Sequence, residues 1–291
     1  MSPLTSPFSS SVFLCFLLTS TQMDFQNFSM SPKPSIICIF FVIFTSLVNY
    51  ILSLDPKFQA CVPYTCGDGP NISYPFWILH EQEPFCGNPN FTIICKDKSP
   101  VLTIANDDYI VKDIFYSNQS FVVANSVVYE DTCPAPLHNV RLGQTPFNFS
   151  LYNSDFSIFY NCSSMPYYPV YELDCASNST HHSFAVFHKE ALELHNYSLE
   201  SCRSLVDVPV DVGVNFTSLL LMNYTEVLKM GFSSNWSAHD CSSCERSSGR
   251  CGFENNEFFV FAMTGLISKP AMMVILKEFS LSSLSSCFKF F

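Results

Sequence analysis

Charge is what this chain has least of: Asp, Glu, Lys and Arg make up only 13% of 291 residues, and the net charge is −11. No run of basic residues occurs. Nucleic acid and anionic membrane surfaces are thereby excluded as partners, because both need clustered Lys and Arg. Glycine is sparse too, at nine residues, which leaves little room for a phosphate-cradling loop. No GxSxG elbow and no kinase signature is present. The paired acids Asp107–Asp108 and Glu130–Asp131 are candidates to flank a glycosidic bond, but adjacent acids in polar turns read more simply as solvated. The chain is therefore expected to have no catalytic residues, no cofactor and no enzymatic activity.

What is abundant is sulfur and glycosylation acceptors. Eleven cysteines fall in one stretch: Cys61, Cys66, Cys86, Cys95, Cys133, Cys162, Cys175, Cys202, Cys241, Cys244 and Cys251. The same stretch carries ten Asn-x-Ser/Thr acceptors: Asn71, Asn90, Asn118, Asn148, Asn161, Asn178, Asn196, Asn215, Asn223 and Asn235. Thiols at this density persist as disulfides only in an oxidising lumen, and acceptors matter only where glycosyltransferases act on exposed loops. The chain is built for the outside of a cell. Its spacings leave the disulfide connectivity open. A zinc site on Cys241, Cys244, Cys251 and His239 is the competing reading, but the second half of a zinc pattern is missing and disulfides are preferred. His181–His182 reads as a solvated loop. No metal is expected.

Residues 1–54 form a leader with two apolar stretches, Ser11 to Leu18 and Ile36 to Leu54. A start at Met30 gives a short n-region with Lys33, an apolar core from Ile36 to Val48 and small Ser53 near the end, as a cleavable signal needs. The alternative is an uncleaved anchor, since Ile36 to Leu54 nearly spans a bilayer. A membrane is a partner only in that second case.

Beyond Cys61 the pattern is one of short alternating strands between polar turns. Val101 to Ile104, Tyr109 to Val111, Phe121 to Val123, Phe147 to Tyr152 and Ile158 to Tyr160 are predicted strands. Ser218 to Met230 is the predicted helix, with Leu220, Tyr224, Val227 and Leu228 on one face and Gly231 as its stop. The expected fold is mainly β and disulfide-rich, with two small extracellular modules at residues 55–165 and 166–258, the second α+β with one short helix. Modules of this size lean on cross-links as much as on core burial.

Particular strings carry a resemblance. Cys61, Cys66-Gly67, Ile72-Ser73-Tyr74-Pro75-Phe76-Trp77, Cys86-Gly87-Asn88-Pro89-Asn90-Phe91 and Cys95 resemble the opening of the plant wall-associated receptor kinase galacturonan-binding domain. Leu102-Thr103-Ile104, Tyr109, Cys133-Pro134 and Phe159-Tyr160-Asn161-Cys162 continue the pattern in order. Cys202, Val208-Pro209-Val210, Leu228, Gly231-Phe232, Trp236, Cys241-Ser242-Ser243-Cys244, Ser248-Gly249 and Cys251-Gly252 resemble the associated C-terminal domain. The whole is similar to leaf rust resistance locus receptor-like kinase ectodomains. The resemblance implies an extracellular receptor segment in the cell wall or apoplast that binds pectin. Tyr74, Trp77, Tyr167 and Tyr168, with Phe76, are candidates for an aromatic platform under a sugar, although Phe76 and Trp77 equally suit a core. Between Asp55 and Tyr160 acids outnumber Lys57, Lys96, Lys98, Lys112 and Arg141, so direct charge attraction cannot hold a polyanion. Calcium bridging through Asp107 and Asp108 is one escape. A peptide or partner receptor as ligand, with the chain acting as a secreted decoy, is the alternative, as is the remnant of a truncated receptor gene.

Residues 259–291 depart from the pattern. After Cys251-Gly252 the family continues to Cys-x-Cys and then Asp-Gly, whereas this chain reads Val260-Phe261-Ala262-Met263-Thr264-Gly265. Reading one nucleotide earlier permits Cys-Phe-Cys-His-Asp-Gly there. The Asp is forced, because Met has one codon ending in G and Thr begins with AC. A one-base slip near Phe259, in the gene or in its reading, is expected. Cys287 would then be available to a cysteine that had lost its partner.

Overall fold

The computed structural model describes residues 55–67, 69–213, 216–219 and 221–263, with Ile43. The Met30 leader, the acceptor at Asn215, Leu220, and Cys287 with the rest of the tail from residue 264 lie outside the described residues.

Strands dominate, as expected. In chain order they are β1 (Trp77–Ile78), β2 (Thr92–Lys96), β3 (Ser99–Ile104), β4 (Asp107–Phe115), β5 (Ser120–Asn125), β6 (Phe147–Phe149) and β7 (Asn153–Cys162). They continue with β8 (Tyr171–Glu172), β9 (His182–Phe187), β10 (Cys202–Asp211), β11 (Phe232–Trp236), β12 (Arg250–Glu254) and β13 (Glu257–Phe261). Helices are short: α1 (Pro56–Ala60), α2 (Glu190–Leu194), α3 (Phe216–Leu219), α4 (Tyr224–Met230) and α5 (Ser242–Arg246).

A seven-stranded sheet runs β1-β2-β3-β4-β5-β11-β6. Its meander is tight because Asp97–Lys98 and Ala105–Asn106 both take positive φ, the backbone that a two-residue hairpin needs. A bulge between Val111 and Asp113 shifts the register of β4, which turns Ile114 back toward the core. The sheet wraps the 72–91 segment, and Phe76 sits at the centre with no exposed surface. Its ring meets Phe91 at 5.1 Å and Trp236 at 5.1 Å, edge to face. Truncating such a ring to Ala costs about 3–5 kcal/mol.

A four-stranded sheet runs β10-β7-β9-β8. Its central strand β7 is buried from Phe156 to Tyr160, because apolar groups cover both faces. Phe156, Ile158 and Tyr160 pack with Val206, Val208 and Val227, whereas Phe159 packs with Phe184, Leu192 and Tyr197. The chain crosses between sheets twice. β7 precedes the boundary expected at residue 165 yet centres the second sheet, and β11 follows it yet lies inside the first. Gly231 makes the return crossing possible: its φ is 76°, and a Cβ there would strike the Val123 carbonyl.

Five disulfides join Cys61–Cys86, Cys66–Cys95, Cys133–Cys175, Cys162–Cys202 and Cys241–Cys251. Cys244 is disulfide-bonded as well. The Cys241–Cys251 bond removes two of the four ligands that a zinc site would need.

Two expectations are corrected. The Ser218–Met230 helix is broken, because Asn223 caps a fresh start. Its Oδ1 accepts from the Glu226 amide at 2.8 Å, and Glu226 Oε2 accepts from the Asn223 amide at 3.0 Å, a reciprocal capping box. The tail expected from residue 259 begins inside a paired strand: Val260 lies opposite Cys251 in the β12–β13 hairpin, and Phe261 and Ala262 are buried. Among the described residues no helix is long and apolar enough to cross a membrane.

Candidate functional site

An open cleft of about 620 Å³ lies where the β4 end of the first sheet meets the terminal hairpin. Phe58, Asn71, Ser73, Asp113, Tyr116, Glu245 and Arg250 line it. Local geometry holds these groups in place. Tyr116 follows β4, and its hydroxyl accepts from the Ser73 amide at 2.8 Å while donating to the Asn71 carbonyl at 2.9 Å. That hydroxyl therefore clamps the 71–73 segment against the sheet. Burial pushes its pKa up to about 12, opposed by the bonds to Ser73, so it stays protonated and keeps donating.

Charge in the cleft is mixed. Arg250 stacks its guanidinium 4.0 Å from the centre of the Phe58 ring and donates to the Phe58 carbonyl, so the one lining cation is already engaged. Asp113 turns its carboxylate back to the Ile114 amide at 2.8 Å. The Glu245 carboxyl is held above its usual range, first by loss of solvent around the group and second by Asp240 nearby, while a bond to Ser73 works the other way. The cleft can offer a sugar hydroxyls, a backbone rim and aromatic edges. It offers a polyanion little positive charge.

The basic residues weighed from the sequence are largely committed elsewhere. Lys57 pairs with Glu254 at 2.6 Å and Lys96 with Asp108 at 2.6 Å. Lys112 donates to the Lys229 and Met230 carbonyls. Asp108 also accepts from Thr103 Oγ1, and Asp107 faces His138 at 3.4 Å. Both acids considered for calcium thus have protein partners in the β3–β4 turn.

The four aromatic candidates do not converge. Tyr74 is 4% exposed and Trp77 7%, which corrects any platform role for them. Tyr74 packs on Phe258 with ring centres 5.4 Å apart, and its hydroxyl has no hydrogen-bond partner among the described residues. Trp77 sits in β1 and donates Nε1–H to the Asn88 carbonyl at 3.2 Å. Tyr167 is fully exposed, and Tyr168 lies against His195 with ring centres 4.8 Å apart. Neither lines the cleft. They precede a smaller hollow of about 350 Å³ between residues 169–172 and 222–224. Sequence reasoning missed Tyr116, Glu245 and Arg250, because only the packing of the terminal hairpin brings them together. Acceptor asparagines Asn71, Asn90, Asn118, Asn148, Asn161, Asn178, Asn196, Asn223 and Asn235 are all exposed, and Asn71 stands on the cleft rim.

Comparison with known proteins places these elements. Residues 61–125 match the family described as wall-associated receptor kinase galacturonan-binding. Residues 174–262 match the family described as wall-associated receptor kinase C-terminal. The leaf rust 10 disease-resistance locus receptor-like protein kinase-like 1.2 of Arabidopsis thaliana is 44% identical over 245 residues, 81% of this chain and 37% of that protein. The like 2.5 protein of the same plant is 25% identical over 78% of this chain and 37% of its own length. A putative RING-H2 finger protein of Arabidopsis thaliana is 24% identical over 75% of this chain and 59% of its own length. The chain thus spans little more than a third of the kinase relatives. No solved structure matches it. The lining of the cleft draws on both matched segments: the chain carries segments that match the galacturonan-binding and C-terminal domains of wall-associated receptor kinases, in that order, and over most of its length it is similar to leaf rust 10 type receptor-like kinases.

Proposed function

We propose that this chain is a non-catalytic, extracellular polysaccharide-binding ectodomain that takes a pectic galacturonan chain in the cleft between β4 and the terminal hairpin. The observation that carries the reading is the match of residues 61–125 to a galacturonan-binding family, with cleft walls supplied by that segment and by the C-terminal one. Relatives named as kinases and one named as a RING-H2 finger protein share this region. A module found with different partners in one chain is more simply a recognition unit than part of a catalyst. Its place is the cell wall or the apoplast.

A second reading rests on Asp113 and Glu245, the two carboxylates of the cleft. They favour an uncharged glycan, or a peptide carrying basic residues, over a bare polyanion. An array of pectic oligomers, neutral glycans and basic peptides, probed with the full chain with and without calcium, separates the two. Binding to galacturonan oligomers is expected. Failure on every pectic oligomer in both conditions overturns the first reading, and capture of basic peptides alone establishes the second.

A further inference from the structure

Two glycosylation acceptors that lie far apart in the chain face each other across a strand pair. Asn148 in β6 is the register partner of Asn235 in β11, flanked by the pair Trp236 and Phe147. Trp236 and Phe147 are buried and point into the core. Alternation along both strands therefore sends Asn148 and Asn235 out of the same face, and both are exposed. Side chains directly opposite on antiparallel strands have Cβ atoms about 4.5–5.5 Å apart. A pyranose ring is about as wide as that gap. Two branched glycans cannot leave the sheet from there without colliding.

The location gives one glycan something to do. β6 is an edge strand of the seven-stranded sheet, so no further strand pairs with its outer side among the described residues. The adjacent turn is apolar and open: Phe149, Leu151 and Tyr152 are 45%, 99% and 79% exposed. An open edge beside exposed apolar residues is a template for pairing with another chain, and natural proteins cover such edges.

We propose that Asn148 and Asn235 constitute a single shared N-glycan position: the folded, secreted protein carries a glycan on one or the other, never on both, and that glycan covers the β6 edge. The donor is an oligosaccharide on a lipid diphosphate. The bond formed joins the asparagine Nδ2 to the anomeric carbon of the first sugar, and the bond broken is that carbon's link to the diphosphate. One Nδ2 proton is released, the lipid diphosphate departs, and no electrons are exchanged. Asn148 leaves the ribosome first, whereas β11 reaches β6 only after residue 236 has been made. Exclusion therefore acts either at transfer to Asn235 or at folding, where a doubly modified chain cannot close the β11–β6 pairing.

Intact mass of the secreted full-length chain, before and after enzymatic removal of N-glycans, counts the glycans. Asn148→Gln and Asn235→Gln should each carry as many as the wild type, because occupancy moves to the remaining asparagine, whereas the double variant should carry one fewer. A glycan lost in either single variant, or none lost in the double, overturns the proposal. If the double variant is not secreted, site occupancies in the wild type decide. Deglycosylation in heavy-oxygen water marks each formerly modified asparagine, and the two occupancies should add to one; a sum near two or near zero overturns it.

Discussion

Removing the Cys162–Cys202 bond should destabilise the protein more than removing Cys241–Cys251, and the structure gives the size of the gap. The first closes a sequence separation of 40 and the second one of 10. Loop-closure entropy assigns them about 3.9 and about 2.7 kcal/mol at 25 °C. Packing adds to the difference in the same direction. Cys162 has no exposed surface and sits among Phe159, Phe184 and Leu192. It also pins the register at the end of β7, where Cys202 and Cys162 are opposite one another.

The assay is guanidinium unfolding of oxidised wild type, of Cys162→Ala with Cys202→Ala, and of Cys241→Ala with Cys251→Ala. The first variant should lose about 4 kcal/mol, a large share of a typical stability of about 5–15 kcal/mol, and the second about 3 kcal/mol. The order of the two midpoints, at unchanged slope, is the decisive quantity. If the Cys241–Cys251 variant proves the less stable, the entropic reasoning fails here, and the terminal hairpin holds the fold through contacts rather than through chain restriction.

Two further outcomes follow from single groups. Tyr74→Phe removes a buried hydroxyl that has no hydrogen-bond partner among the described residues and should raise stability by about 1 kcal/mol, with galacturonan binding unchanged; weaker binding at equal stability would return Tyr74 to the ligand. The Asp108 carboxyl is held below its ordinary value by Lys96 first and Thr103 second, so its contribution is complete above the unfolded pKa of about 3.9 and fades as pH falls below it. Asp108→Asn should therefore cost under about 1 kcal/mol at pH 6, since the pair is partly exposed, and the gap between the two unfolding curves should shrink steadily as pH falls through the lowered pKa of the folded carboxyl; a gap that does not shrink in acid refutes the ion-pair origin.

The β content was legible because the strands of the first half alternate. Tyr109 and Val111, then Phe121 and Val123, are buried in one core, and four of the five predicted segments fall inside β3, β4, β5 and β7, whereas Phe147 to Tyr152 overruns β6, which ends at Phe149. The hairpins were less visible. Asp97–Lys98, Ala105–Asn106 and Asn255–Asn256 all take positive φ without a glycine, so the usual turn signal is absent. β9 hid for a different reason: His182–Phe187 is buried at nearly every position, and a strand covered on both faces shows no period of two. β10 carries Pro209, which argues against a strand unless position within the sheet is known, and β10 is an edge strand. The cleft was illegible because Tyr116 and Arg250 meet only once the terminal hairpin folds back. Gly252 permits that contact, since a Cβ there would strike the Phe85 carbonyl and the Phe261 ring.

The same hairpin bears on the proposed reading-frame slip. Shifting the frame by one base permits cysteine in place of Val260 and Ala262 with phenylalanine kept at position 261. Phe261 is the residue that this region buries against Phe58, Cys61 and Cys86, and the anchoring ring is common to both frames where the Val260 codon ends in T. Val260 packs beside Cys241, Cys244 and Cys251, and Ala262 is 3% exposed. Cysteine behaves in a core as a small apolar group, so Val and Ala at these positions keep the packing and forgo only the sulfur. A slip at this point therefore spares the hairpin through Ala262, which is where the family match also ends. Sequencing the transcript across codons 255 to 265 tests the slip directly. An uninterrupted frame as written here would make Val260 and Ala262 genuine replacements, and the loss of two cysteines a property of the working protein.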